Sequence, residues 1–198
     1  MFSPGSVLGP LLFTAYVLLF CNNLIAVNPC PTTICPDGQF SFFLQSGGAN
    51  VIPPKICFRN QLVLGRAKKN SGVGINAAIF NGETGELIET GNYDMWAGEV
   101  KPLTDLLKRT KTGSIVLMAS YDEPASKLDE EARKLILELG SSSVKTLGFR
   151  DNWVFVGGKG ANVQSPFEKI IKNEQPKNKY DGWPEVIDLS GCIPKYLG

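Results

Sequence analysis

Histidine is absent from this 198-residue chain. With it go the commonest general base and the commonest metal ligand. A serine nucleophile would then need a lysine as its base. Ser142-Ser143-Val144-Lys145 has the spacing, but it follows Gly140 in a loop and does not open a helix. A surplus of either charge is missing too, since Lys+Arg number 20 and Asp+Glu 19. Phosphate backbones need a clustered basic surplus, so no nucleic-acid partner is expected. The local group Arg66, Lys68 and Lys69 is offset elsewhere and reads as solvated surface. Low-complexity linkers and internal repeats are also lacking, which leaves one domain.

No lysine or arginine precedes Lys55. The apolar stretch over residues 7–20 is soon followed by Asn22 and Asn23, short of what a bilayer requires. It fits the core of a signal peptide over 1–26, cut after the small residue Ala26, with an uncleaved anchor as the alternative. The mature chain, 27–198, is expected outside the cell with no membrane span. Cys21 leaves with the signal, and Cys30, Cys35, Cys57 and Cys192 remain. Four cysteines allow three pairings, and the residues do not choose among them. Three lie near the mature start and one near the end, so every pairing staples the termini together. A zinc site is the weaker reading, because the Cys30–Cys35 spacing is loose and no histidine completes it.

Apolar patterning predicts strands over 39–45, 55–64 (one or two), 75–80, 86–93, 115–120 and 153–156. The segment Asn81-Gly82-Glu83-Thr84-Gly85 joins the middle pair as a hairpin. A helix is expected to start at Ser126, with Asp129 completing a capping box, and to stop at Gly140. Ser165-Pro166-Phe167-Glu168 reads as the start of a second helix, and Val100, Leu103, Leu106 and Leu107 mark a third. The fold class is α+β, mainly antiparallel.

Motifs for known chemistries fail on context. Gly72-Val-Gly-Ile-Asn-Ala77 runs into a strand and a hairpin, where a dinucleotide fingerprint would open a helix. Gly157-Gly-Lys-Gly160 lacks the Ser or Thr that follows the lysine of a phosphate loop. Asp94, Glu99, Asp122 and Asp151 could supply paired carboxylates for glycoside hydrolysis, but no spacing singles out two. Two segments are over-specified for a scaffold: Tyr121-Asp122-Glu123-Pro124, and Leu147-Gly-Phe-Arg-Asp-Asn-Trp153. Their structural reading is an Asp122–Arg150 ion pair closing the strand ends, with Trp153 in the core.

Several motifs recur together in one family. They are Ser46-Gly-Gly-Ala-Asn-Val51, Gly74-Ile-Asn76, Asn81-Gly-x-Thr-Gly85, Tyr93-Asp-Met95, Leu147-Gly-Phe-Arg-Asp-Asn-Trp-Val-Phe155 and Gly157-Gly-Lys-Gly160. Ser165-Pro-Phe-Glu168, Asn178-Lys-Tyr-Asp-Gly-Trp-Pro-Glu185 and Gly191-Cys-Ile-Pro194 complete the set. Nearly the whole mature chain resembles the secreted, cytokine-like "family with sequence similarity 3". The resemblance implies a compact globular domain of two mainly antiparallel β-sheets flanked by short helices, stapled by disulfides and without enzymatic activity. It implies the pairings Cys30–Cys57 and Cys35–Cys192. Cys30 and Cys35 stand closer together than in other members. Val156 replaces a further cysteine that some relatives carry, so a monomer or non-covalent oligomer is expected.

The Asp-before-helix and Gly-aromatic-Arg-Asp-x-Trp pattern also resembles the GG-type lectin domain, found as the non-catalytic stem of an O-mannose acetylglucosaminyltransferase. There the matching aspartate and arginine contact an N-acetylglucosamine-type sugar. On that resemblance Asp122 and Arg150 are the carbohydrate-binding residues, with Phe149 or Trp153 as a nearby ring face. The expectation is a secreted cytokine- or hormone-like factor that binds a cell-surface receptor or glycan. The alternative is a purely carbohydrate-binding extracellular module. No catalytic residue, cofactor or metal site is assigned.

Overall fold

The computed structural model describes residues 28–196. The expected signal peptide over 1–26, its cleavage after Ala26, and Cys21 lie outside the described residues. A four-stranded antiparallel sheet contains β1 (Gln39–Gln45), β2 (Lys55–Phe58), β3 (Gln61–Leu64) and β9 (Asp188–Pro194), in the order β3-β2-β1-β9. A five-stranded sheet contains β4 (Gly74–Asn81), β5 (Leu87–Tyr93), β6 (Ser114–Tyr121), β7 (Asn152–Gly158) and β8 (Glu168–Ile171), in the order β5-β4-β6-β7-β8. Two helices, α1 (Lys101–Arg109) and α2 (Glu130–Leu137), cover the outer face of the larger sheet. Among the described residues no helix is long and apolar enough to cross a membrane.

The mostly apolar sequences of β4, β6 and β7 follow from burial on both faces. Ile75, Ala77 and Ile79 of β4 pack with Val116 and Met118 of β6 against Leu103, Leu106 and Ile136 of the helices. The alternate residues Ala78, Phe80, Leu117 and Val154 face Phe42, Leu44 and Phe58 of the smaller sheet. Segment 55–64 proves to be two strands. Arg59 and Asn60, at φ 51 and 60°, form the two-residue loop between them, a turn whose central residues both require positive φ. Disulfides join Cys30 to Cys57 and Cys35 to Cys192. The second lies beside the pairing of β1 with β9, so the amino-terminal strand is held to the carboxyl-terminal one both covalently and by a full ladder.

Two helix expectations are corrected. Helix α2 begins at Glu130, and its cap is Asp129, whose carboxylate accepts from the Ala132 N–H at 2.8 Å. Ser126 is not the cap, because the Glu123 carboxylate has already taken the N–H groups of Ala125 and Ser126 into a turn. Residues 165–168 open no helix, and Glu168–Ile171 is a strand. Ile170 packs on the helix side of the sheet, whereas Phe167 and Ile171 pack on the inter-sheet side. A helix would place all three on one face, so this alternation belongs to a strand.

Glu168 fastens β8 in place. Its carboxylate accepts from Ser141 Oγ, Trp153 Nε1, and the N–H groups of Ser142 and Ser143, at 2.5 to 3.1 Å. Burial alone pushes this carboxyl up, but bonds from Ser141, Trp153 and Ser142 together carry it below its usual range. A folded-state value below the unfolded one stabilises the fold above the unfolded pKa, and that contribution is lost as pH falls through the folded value. Urea midpoints should therefore favour the wild type over Glu168→Gln near neutral pH. The gap should narrow as pH falls below the ordinary carboxylate range. A gap independent of pH would contradict the assignment.

Candidate functional site

Neighbouring strands β6 and β7 are antiparallel, so the end of one and the start of the other meet at one rim of the larger sheet. Asp122 follows β6, and Arg150 precedes β7 by two residues. Both adopt left-handed backbone, at φ 59 and 56°. Non-glycine residues occupy that region infrequently, and here surrounding bonds hold them in it. The buried Glu123 carboxylate accepts from the Ala125 N–H at 2.6 Å, the Ser126 N–H at 2.8 Å and the Arg150 N–H at 2.7 Å. One side chain thus locks both loops together. Asp151 fixes the second loop from below, accepting from the N–H groups of Gly148 and Asn173 and pairing with Lys172.

A third segment completes the rim. Asn152 donates to the Glu185 carbonyl at 2.6 Å, drawing the turn at 180–183 against β7. Trp183 in that turn donates its indole N–H to Asp122 Oδ1 at 3.0 Å. The Arg150 guanidinium carbon lies 3.9 Å from the centroid of the same indole and 4.9 Å from that of Phe149. Such stacking contributes about 0.5–2 kcal/mol. Gly182 leaves room for it, because a Cβ there would stand 2.9 Å from Arg150 Nη1.

The Asp122–Arg150 ion pair of the structural reading does not form among the described residues, and the Trp183 indole contacts both partners. The Arg150 guanidinium makes no hydrogen bond to a described residue, and Asp122 Oδ2 likewise accepts none. Both side chains are half-buried. Trp153 supplies no ring face: it is fully buried, and its indole N–H serves Glu168. Phe149 is exposed and lies 6.0 Å, centroid to centroid, from the exposed Trp96. On the other flank, a Cβ at Gly47 would approach Tyr121 Cδ2 to 2.2 Å, so that glycine lets its loop close over the tyrosine ring. The Tyr121 phenol is pushed up by burial first and then by the Asp122 charge, with Arg66 opposing.

Three further chemical candidates, Asp94, Ser142 and Lys159, are occupied structurally. Asp94 caps a turn by accepting from the N–H groups of Trp96 and Ala97. Ser142 Oγ donates to Glu168 and is not paired with Lys145. Lys159 donates to the Leu107 carbonyl, closing the glycine-rich turn onto α1. Two rim residues, Trp183 and Glu123, were not assigned roles from sequence. Their signals were a tryptophan beside Gly182 in a polar stretch, and a carboxylate within an over-specified segment.

The interleukin-like EMT inducer family model matches residues 73–161, which span the end of β6, the loop bearing Arg150 and all of β7. Protein FAM3C of Rattus norvegicus is 54% identical over 161 residues, covering 81% of this chain and 71% of that protein. Protein FAM3C of Homo sapiens is 53% identical over the same length and shares. The chain belongs to the FAM3, or interleukin-like EMT inducer, family. Protein FAM3A of Homo sapiens is 50% identical over 161 residues, covering 81% of this chain and 70% of that protein. These alignments extend well beyond the family model, so the FAM3 relationship takes in most of both sheets.

Proposed function

We propose that this FAM3-family protein is a secreted, cytokine-like factor acting at the cell surface through the Asp122–Arg150–Trp183 rim. The group read there is an N-acetylglucosamine-type glycan carried by, or lying beside, its receptor. Family membership supports the signalling class, and two disulfides suit an oxidising extracellular compartment. In this reading residues 1–26 are removed, 27–198 form the mature domain, and the rim binds without catalysing a reaction.

The observation that carries the glycan reading is an Arg150 guanidinium held by stacking, with its N–H groups not spent on acceptors among the described residues. A free carboxylate oxygen of Asp122 stands across the same indole. Sugar hydroxyls donate and accept in adjacent pairs, and this rim offers a fixed acceptor and a planar donor fork. The exposed ring of Phe149 suits the apolar face of a pyranose. Each charge-assisted bond contributes about 1.5–3 kcal/mol, so one such site binds nearer millimolar than nanomolar.

Expression in cultured cells, followed by binding of the released protein to intact cells, tests the reading. Protein in the medium should begin near Val27, and its cell binding should fall sharply after enzymatic glycan removal. Binding that survives glycan removal but not surface proteolysis would leave a receptor and eliminate the sugar. Retention on the membrane with an intact amino terminus would overturn secretion.

A further inference from the structure

Adjacent basic residues occur three times in the chain: Lys68-Lys69, Lys108-Arg109 and Arg133-Lys134. The structure treats them very differently. Lys108 and Arg109 form the last turn of α1 and pair with Glu131 at 2.7 Å and Glu89 at 2.5 Å. Arg133 lies in α2, and its guanidinium donates to the carbonyls of Val144 and Leu147. Lys68 and Lys69 are exposed at the apex of the loop between β3 and β4, and among the described residues neither they nor Arg66 form an ion pair.

The backbone of that apex is a single 3₁₀ turn over Arg66–Lys68 with no buried side chain. Two bonds hold it, Lys68 N–H to Gly65 at 3.0 Å and Lys69 N–H to Arg66 at 3.1 Å. Its base is tied more firmly. The Asn70 side chain accepts from the Gly65 N–H and donates to the Val63 carbonyl, and Asn76 does the same with Gly72. Proteases bind their substrates as extended chain. Extending the chain across the Lys69–Asn70 bond breaks those two bonds and loosens the Asn70 clamp but uncovers no apolar surface, whereas extending α1 would expose Leu103, Leu106 and Leu107.

We propose that the Lys69–Asn70 peptide bond is a processing site for an extracellular or secretory protease specific for paired basic residues. Lys69 and Lys68 would enter its acidic pockets, and Arg66, three residues before Lys69, supplies a third cation for a further acidic subsite. Cleavage is simple hydrolysis. Water adds across the amide, Lys69 leaves as a carboxylate, and Asn70 becomes a new amino terminus.

The fold determines what the cut produces. The chain passes from the smaller sheet to the larger one through residues 65–73 and returns between β8 and β9. Cleavage severs only the first passage. The piece ending at Lys69 stays attached through Cys35–Cys192 and through seven paired positions between β1 and β9. The product is a two-chain, disulfide-linked molecule with both sheets intact.

Purified, oxidised protein is incubated with a subtilisin-type convertase specific for paired basic residues, and separately with limiting trypsin. Mass spectrometry and gels with and without reductant follow. The expected first cut is after Lys69 with both enzymes, giving one species without reductant and two with it. Lys68→Gln/Lys69→Gln should slow that cut at least tenfold while leaving the thermal midpoint unchanged. A first cut at Lys108-Arg109 or Arg133-Lys134, no cut by the convertase, or release of the piece ending at Lys69 without reductant would overturn the proposal. None of these readouts depends on the glycan reading.

Discussion

Arg150→Ala is expected to weaken binding to N-acetylglucosamine-type glycans roughly ten- to hundredfold while costing the fold no more than the lost stack, about 0.5–2 kcal/mol. The guanidinium makes no hydrogen bond to a described residue, so its removal orphans no buried partner. What is lost is the stack on Trp183 and Phe149 and the donor fork it orients. Arg150→Lys should recover little, since an ammonium keeps the charge but neither the plane nor the paired donors. Asp122→Asn is the matching test on the other side. Asparagine tolerates the left-handed backbone at φ 59 and can still accept from the Trp183 indole, so the change removes charge with little strain. A glycan array and a thermal scan on the same preparations decide the matter. A loss of about 1 kcal/mol lowers the midpoint by about 2–4 °C in a domain of this size, so the glycan signal is what separates a binding role from a scaffold one. A lowered midpoint with unchanged glycan signal would reverse the assignment.

The part of this arrangement legible in the sequence was the part written in local pattern. The apolar runs at 115–120 and 153–156 read as buried strands, and the turn over 81–85 marks 75–80 and 86–93 as a hairpin pair. The sequence couples Asp122 with Arg150 as an expected ion pair at the strand ends and by a motif resemblance, and the antiparallel pairing of β6 with β7 is what brings them to one rim. Phe167, Ile170 and Ile171 were misleading because three apolar residues at that spacing satisfy a helix. Only the knowledge that a core lies on both sides of β8 shows that they alternate. The helix start was misplaced by three residues because Glu123, whose partners include the distant Arg150, competes for the N–H groups that Ser126 would have organised. Trp183 lies 61 positions from Asp122, and no local pattern couples them.

Removing the Cys35–Cys192 bridge is expected to destabilise the protein by about 2–5 kcal/mol, more than removing Cys30–Cys57 does. The bridges close segments of very different length, with sequence separations of 157 and 27. On a loop-entropy account the longer closure restricts the unfolded chain more, by about 1.5 kcal/mol. Position adds to the difference. Cys35–Cys192 ties β1 to β9, the edge strand that returns from the larger sheet, so its loss also frees that edge to fray. The comparison needs paired substitutions that leave no free thiol. Cys35→Ser/Cys192→Ser suits two half-buried positions. Cys30→Ala/Cys57→Ala suits two buried ones, where a serine hydroxyl would add a desolvation cost of its own. Denaturant midpoints for both variants, with slopes checked for a change in the unfolded state, give the answer. Equal losses from the two bridges would show that native packing around Cys30 and Cys57 outweighs chain entropy.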